Sequence, residues 1–156
     1  MKKKSTGGIL LAILASVFAL VAILCAIAPG FTVEQGRGTG FIIMFGATEK
    51  ATVAVPGLIV AFILEIVIVF VSLIAAFSRS KGRVILNLFS VAAAICAAVL
   101  LLFAKTLYVS ANGLNPADSL IKDLKLASGF ITSIVFDFLS AACSLLVVYI
   151  SRRKED

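Results

Sequence analysis

Apolar and polar positions alternate along this chain in blocks rather than residue by residue, and four apolar blocks are long enough to cross a bilayer. They cover residues 8–28, 56–77, 84–104 and 129–150. A hydrocarbon core of about 30 Å needs roughly 20 helical residues, so each block predicts one transmembrane helix. The first block outlasts a secretory h-region of about 7–15 residues, and Pro29 stands just past Ala28, where cleavage would fall. A retained helix is expected. The expected fold class is an all-α membrane protein, a four-transmembrane-helix bundle formed by residues 1–156 as a single domain.

The segments between blocks predict smaller elements. Residues 31–46 set two β-prone runs, FTVEQ and FIIMFG, around the glycine-rich GRGTG, a pattern that predicts a β-hairpin in the first long link, 29–55. Residues 106–110 (TLYVS) offer a third β-prone run to the same small sheet. Asn112-Gly113 marks a turn. Asn115 followed by Pro116 and Asp118 predicts the start of a short amphipathic interfacial helix. Ala117, Leu120, Ile121 and Leu124 would line one side of it, and Asp118 and Lys122 would pair on the other. The link at 78–83 is minimal and predicts a tight helical hairpin.

Charge then gives an orientation. Lys2, Lys3, Lys4, Arg79, Lys81, Arg83, Arg152, Arg153 and Lys154 fall on one side of such a bundle. Arg37, Lys50, Lys105, Lys122 and Lys125 fall on the other, diluted by Glu34, Glu49, Asp118 and Asp123. The positive-inside rule puts the first group, and with it both termini, in the cytoplasm, and makes the hairpin and the links 29–55 and 105–128 extracellular. Tyr149 and Tyr108 would be interfacial anchors. The net charge of +6 is therefore a topology signal, and nucleic acid is not an expected partner. A Lys-rich start, compact links and the absence of a glycosylation sequon at Asn112 or Asn115 suggest a bacterial plasma membrane.

Composition agrees with this reading: 62% of residues are hydrophobic and 14% charged, against about 45–50% and about 25% in ordinary globular domains. Cys25, Cys96 and Cys143 all lie inside apolar blocks, where thiols pack as small apolar groups. With no histidine, the commonest general base and metal ligand is missing. No cofactor, metal or catalytic site is expected, and the GRGTG run lacks the spacing of a nucleotide-binding loop. The plan of four helices with a small outer sheet resembles that of claudin-type tetraspan proteins. The resemblance covers shape alone, since the tryptophan and loop cysteines of that family are missing.

Two acidic residues carry the candidate chemistry. Glu65 and Asp137 stand near the middle of the second and fourth blocks, each eight residues beyond a glycine, Gly57 and Gly129. At about 1.5 Å per residue both lie roughly 12 Å below the outer boundary, the equal depth that a shared site requires. An acidic residue at mid-membrane costs about 2.5–3.5 kcal/mol on an insertion scale, against about 0.3–0.6 kcal/mol gained per Leu, Ile, Val or Phe. The second block, with fifteen such apolar residues, absorbs that cost easily; the fourth, with twelve, comes nearer to break-even. Gly129, Ser133, Asp137, Ser140 and Ser144 form one helical stripe, and Ala61, Glu65, Ser72 and Ala76 form another. Gly8, Ala12, Ser16, Ala19, Ala22 and Ala26 on the first helix, and Ser90, Ala94, Ala97 and Ala98 on the third, complete four faces suited to close packing. Asn87, near the inner end of the third helix, is expected to bond between helices.

Two functions follow as expectations. One is a structural or accessory membrane protein, not an enzyme, acting through helix packing or outer-link contacts with a membrane-protein partner or a second copy. The alternative is a small transporter or channel-like subunit using Glu65 and Asp137 as a proton or cation site. Small multidrug transporters, which also use an intramembrane Glu on a compact four-helix chain, resemble it in that one respect. The carboxyls have a structural reading too, as protonated groups bonded to a serine or carbonyl that fix helix register.

Overall fold

A computed structural model of the chain describes residues 6–33, 36–46, 53–117 and 119–153. The order of elements is α1 (Thr6–Ile27), β1 (Pro29–Val33), β2 (Gly36–Thr39), α2 (Gly40–Phe45), α3 (Pro56–Phe77), α4 (Ser80–Leu102), α5 (Ala104–Ala111), α6 (Ser119–Lys122), β3 (Lys125–Leu126) and α7 (Ser128–Arg152). Helices α1, α3, α4 and α7 are each long and apolar enough to span a membrane. The chain is therefore a multi-pass membrane protein. The four helices run alternately up and down and form a closed ring: α1 packs on α3, α3 on α4, α4 on α7 and α7 on α1. Helices α3 and α7 face each other across the centre and point the same way.

Small residues make this ring tight. The buried face of α1 consists of Gly8, Ala12, Ala15, Ser16, Ala19, Ala22 and Ala26, and α3 contributes Ala61, Ala75 and Ala76 beside Glu65 and Ser72. Without large side chains between them the backbones approach closely, which is what drives helix association in lipid, where apolar burial gives no advantage. Serine hydroxyls then pin neighbours together. Ser16 Oγ donates to Val69 O at 3.1 Å, joining α1 to α3. Ser72 Oγ donates to Ser90 Oγ at 3.2 Å, joining α3 to α4. Ser140 Oγ donates to Ala15 O at 2.9 Å, joining α7 to α1.

At one end of the ring a three-stranded sheet, ordered β2-β1-β3, closes the bundle. A hairpin forms with β1 on the start of the first expected run, but its second strand is not the second run. The second strand is Gly36–Thr39, the glycine-rich stretch itself, paired antiparallel with β1. The next residues, FIIMF, are helix α2. Thr39 Oγ1 accepts from Ile42 N to cap it, and Gly40, Ile43 and Met44 are buried at helical spacing. A uniformly apolar run has no period of its own, so the packing partner chose. The third strand is likewise not 106–110, which is helix α5. There Ala104, Leu107, Tyr108 and Ala111 face the core at steps of three, one and three, a helical repeat. Lys125–Leu126 takes the strand position beside β1 instead. The ring of Tyr108 meets Phe31 edge-on at 5.4 Å.

The turn at Gly113 is present, with φ +60°. The expected amphipathic helix shrinks to the four residues of α6, while Asn115 Oδ1 accepts from Ala117 N at 3.0 Å as a local turn. Its expected Asp118–Lys122 pair falls on Asp118, outside the described residues. Asn112 does more than mark a turn, because its Oδ1 accepts from Val53 N at 2.8 Å and its Nδ2 donates to Tyr108 O at 3.0 Å. One side chain thereby ties the start of the α3 approach to the end of α5.

Two positions at this end require glycine by proximity. A Cβ at Gly40 would collide with the backbone oxygen of Ala26, and one at Gly129 would stand 2.5 Å from the backbone oxygen of Pro29. Both β2–α2 and α7 thus rest directly on the last turn of α1. At the opposite end the deciding residue is Arg83. Counted in sequence among the topology-setting charges, it is buried. Its Nε donates to Ala75 O, and one of its terminal nitrogens donates to Ala76 O and Ser78 O, all at 3.2 Å. The last carbonyls of α3 have no helical partner, and Arg83 supplies one from the first turn of α4. Asn87, expected to bond between helices, instead donates Nδ2 to Arg83 O at 2.8 Å within α4.

Replacing Gly40 by Ala should lower stability by about 1–3 kcal/mol, the usual cost of overpacking, read as a fall in the midpoint of thermal unfolding in mild detergent. Arg83→Met should cost about 1.5–3 kcal/mol, the scale of hydrogen bonds to a charged group, and Arg83→Lys should restore only part of it because an ammonium lacks the guanidinium fork.

Candidate functional site

Glu65 enters the site from α3, nine residues after Pro56, and Asp137 from α7, nine residues after Ser128. Because α3 and α7 are diagonal partners pointing the same way, equal spacing brings both residues to the middle section of the bundle interior. Both side chains have 0% exposure. Ser133 Oγ donates to Glu65 Oε1 at 2.8 Å, a bond that crosses the centre of the ring from α7 to α3. Asp137 lies one helical turn beyond Ser133 on the same face, about 6 Å along the axis. The sequence stripe 133–137–140–144 is buried throughout, and each member is used differently. Ser133 holds Glu65, Ser140 holds α1, and Ser144 Oγ finds no partner among the described residues.

The carboxyl oxygens are largely unsatisfied. Glu65 Oε2 and both oxygens of Asp137 have no hydrogen-bond partner among the described residues. Each buried polar atom left so costs about 1–3 kcal/mol, and most buried polar groups in proteins are paired. The level above and the level below are apolar. Toward the sheet, Ala61, Ile134 and Phe130 belong to a cluster that continues through Phe31 and Met44. Toward the basic end, Ala19, Ile68 and Ala141 form a second cluster with Ala93 and Ala94. Glu65 sits between Ala61 and Ile68 on its helix, and Asp137 between Ile134 and Ala141 on its own.

Two carboxyls one turn apart, with serine hydroxyls beside them and hydrocarbon elsewhere, can share a proton or grip a small cation. Ser72 belongs to a different contact, the hydroxyl pair with Ser90. Among the described residues no group of three or more His, Cys, Asp or Glu side chains gathers to hold a metal, and the cysteines are free thiols. What the sequence did not signal is the pairing of Ser133 with Glu65. Both lie on polar faces, but their contact depends on α3 and α7 being diagonal rather than adjacent, which helical faces alone leave open.

No protein-family model, no curated protein and no solved structure matches the chain.

The Ser133–Glu65 bond is separable from the rest of the site. In a double-mutant cycle with Ser133→Ala and Glu65→Leu, unfolding in detergent should show a coupling of about 1 kcal/mol, within the range of interhelical hydrogen bonds in membranes. A coupling indistinguishable from zero would mean that the two side chains do not support each other.

Proposed function

We propose that this is a small multi-pass membrane protein of structural or accessory type, which works by presenting a rigid helix bundle and its sheet end to a membrane-protein partner or to a second copy. The observation that carries this reading is the closed interior. The acidic pair found inside the bundle among the described residues lies between two packed apolar clusters, with both members at 0% exposure. A bundle held by alanine faces and serine bonds is built to keep one shape.

A second reading rests on a separate observation, the three unpartnered carboxyl oxygens. Buried acidic groups in membrane helices are costly, and they commonly mark ion or proton sites. On that reading Glu65 and Asp137 form a proton or cation site of a small transporter or channel-like subunit, and Ser133 positions Glu65.

In either case the orientation that fits is the one with both termini in the cytoplasm and the sheet outside. Positively charged residues gather at the α3–α4 turn and at the end of α7, and the sequence opens with a Lys-rich stretch. Arg83 contributes less to that bias than its charge suggests, because its guanidinium is engaged by α3. A bacterial plasma membrane is the setting proposed.

Reconstitution into liposomes separates the two readings. An accessory protein gives no cation or proton flux above that of empty vesicles when a pH or potential gradient is applied. Crosslinking in native membranes should then capture the same partner with the wild type and with the Glu65→Gln/Asp137→Asn variant. Flux that the wild type supports and the double variant lacks would overturn the accessory reading and establish the second.

A further inference from the structure

Helix α2 differs from every other part of the links between spanning helices. All six of its residues, Gly40 to Phe45, are apolar or glycine. Ile43 and Met44 face the core, while Phe41 and Phe45 point outward, 50% and 39% exposed, with their rings stacked at a centroid distance of 4.7 Å. Phe45 also meets Phe62 of α3 edge-on at 6.0 Å. Phe62 lies six residues past the start of α3, about 9 Å along its axis. The outward face of α2 therefore adjoins the side of a spanning helix at the half-buried Phe62.

In lipid, peptide groups must find partners within the protein, and several groups at the ends of α2 do. Gly40 N donates to Ala28 O, Ile42 N to Thr39 Oγ1, Gly46 N to Ile42 O and Val55 N to Met44 O. Both ends of this short helix are thus closed by protein atoms.

We propose that α2 is a membrane-dipping helix whose Phe41 and Phe45 rings lie among lipid acyl chains, so that the link between α1 and α3 returns to the bilayer after forming the sheet. Its partner is the acyl region of the leaflet at the sheet end. The inference does not depend on the function of the carboxyl pair or on which side of the membrane the sheet faces. Interfacial helices of this kind bury their apolar face about 5–10 Å into the headgroup–acyl boundary, the depth at which Phe45 meets Phe62.

The chain has no tryptophan, so a single introduced indole reports its own surroundings. Phe41→Trp and Phe45→Trp, with Leu114→Trp as the control beyond α5, would each be reconstituted into phosphatidylcholine–phosphatidylglycerol vesicles with and without bromine on the acyl chains. The Phe41→Trp and Phe45→Trp proteins should emit at blue-shifted wavelength, lose most of their emission to the brominated lipid and resist aqueous iodide. The Leu114→Trp protein should show the reverse. Iodide quenching at position 41 or 45, or resistance to both quenchers as beneath a second protein, would overturn the proposal. Either position alone suffices if the other variant fails to fold.

Discussion

Close approach of helix backbones is the constraint from which the rest of this structure follows. Between helices surrounded by lipid tails, covering an apolar side chain gains nothing, so attraction has to come from dense contact and from polar groups that water no longer competes for. Alanine and glycine on α1 allow the first, and serine on all four spanning helices provides the second. The cost is paid in sequence freedom. Gly40 and Gly129 have no room for a Cβ, and larger residues along the α1 face would push α3 and α7 away from it.

Once the backbones are this close, the centre can hold polar groups. A looser ring would leave Ser133 too far from α3 to reach Glu65, and an unassisted carboxyl at that depth would weigh against insertion of its helix. Glu65 and Asp137 are not equivalent in this respect. One is anchored by a hydroxyl from the opposite helix, and the oxygens of the other have no hydrogen-bond partner among the described residues. The asymmetry means that whatever completes the hydration or charge of the pair acts mainly on Asp137, while Glu65 keeps its orientation from the protein.

Much of the bundle was legible in the sequence because its signals are long. Blocks of about twenty apolar residues admit few interpretations, and four-residue steps of serine, alanine and glycine mark the faces turned inward. That Glu65 and Asp137 both face the bundle interior was readable from their places on the polar stripes of α3 and α7. Short elements were another matter. FIIMF and TLYVS have strand-forming composition, yet both are helical because Ile43, Met44, Leu107 and Tyr108 are drawn to a core on one side. Lys125–Leu126 is too brief to carry any strand pattern. Arg83 misled for a different reason, since a basic residue near a helix end reads as a membrane-flanking charge until a neighbouring helix terminus is seen to need it.

The Arg83 contact also fixes how α3 is turned about its own axis. Its guanidinium grips carbonyls on one side of the last turn of α3, from a helix that cannot itself rotate without losing the Ser72–Ser90 contact. A helix is stiff in torsion over five turns, so the angular setting chosen at that end is transmitted to Glu65. The direction in which the central carboxyl points is thus governed in part by a residue at the far rim of the molecule, and the α3–α4 hairpin acts as a single part.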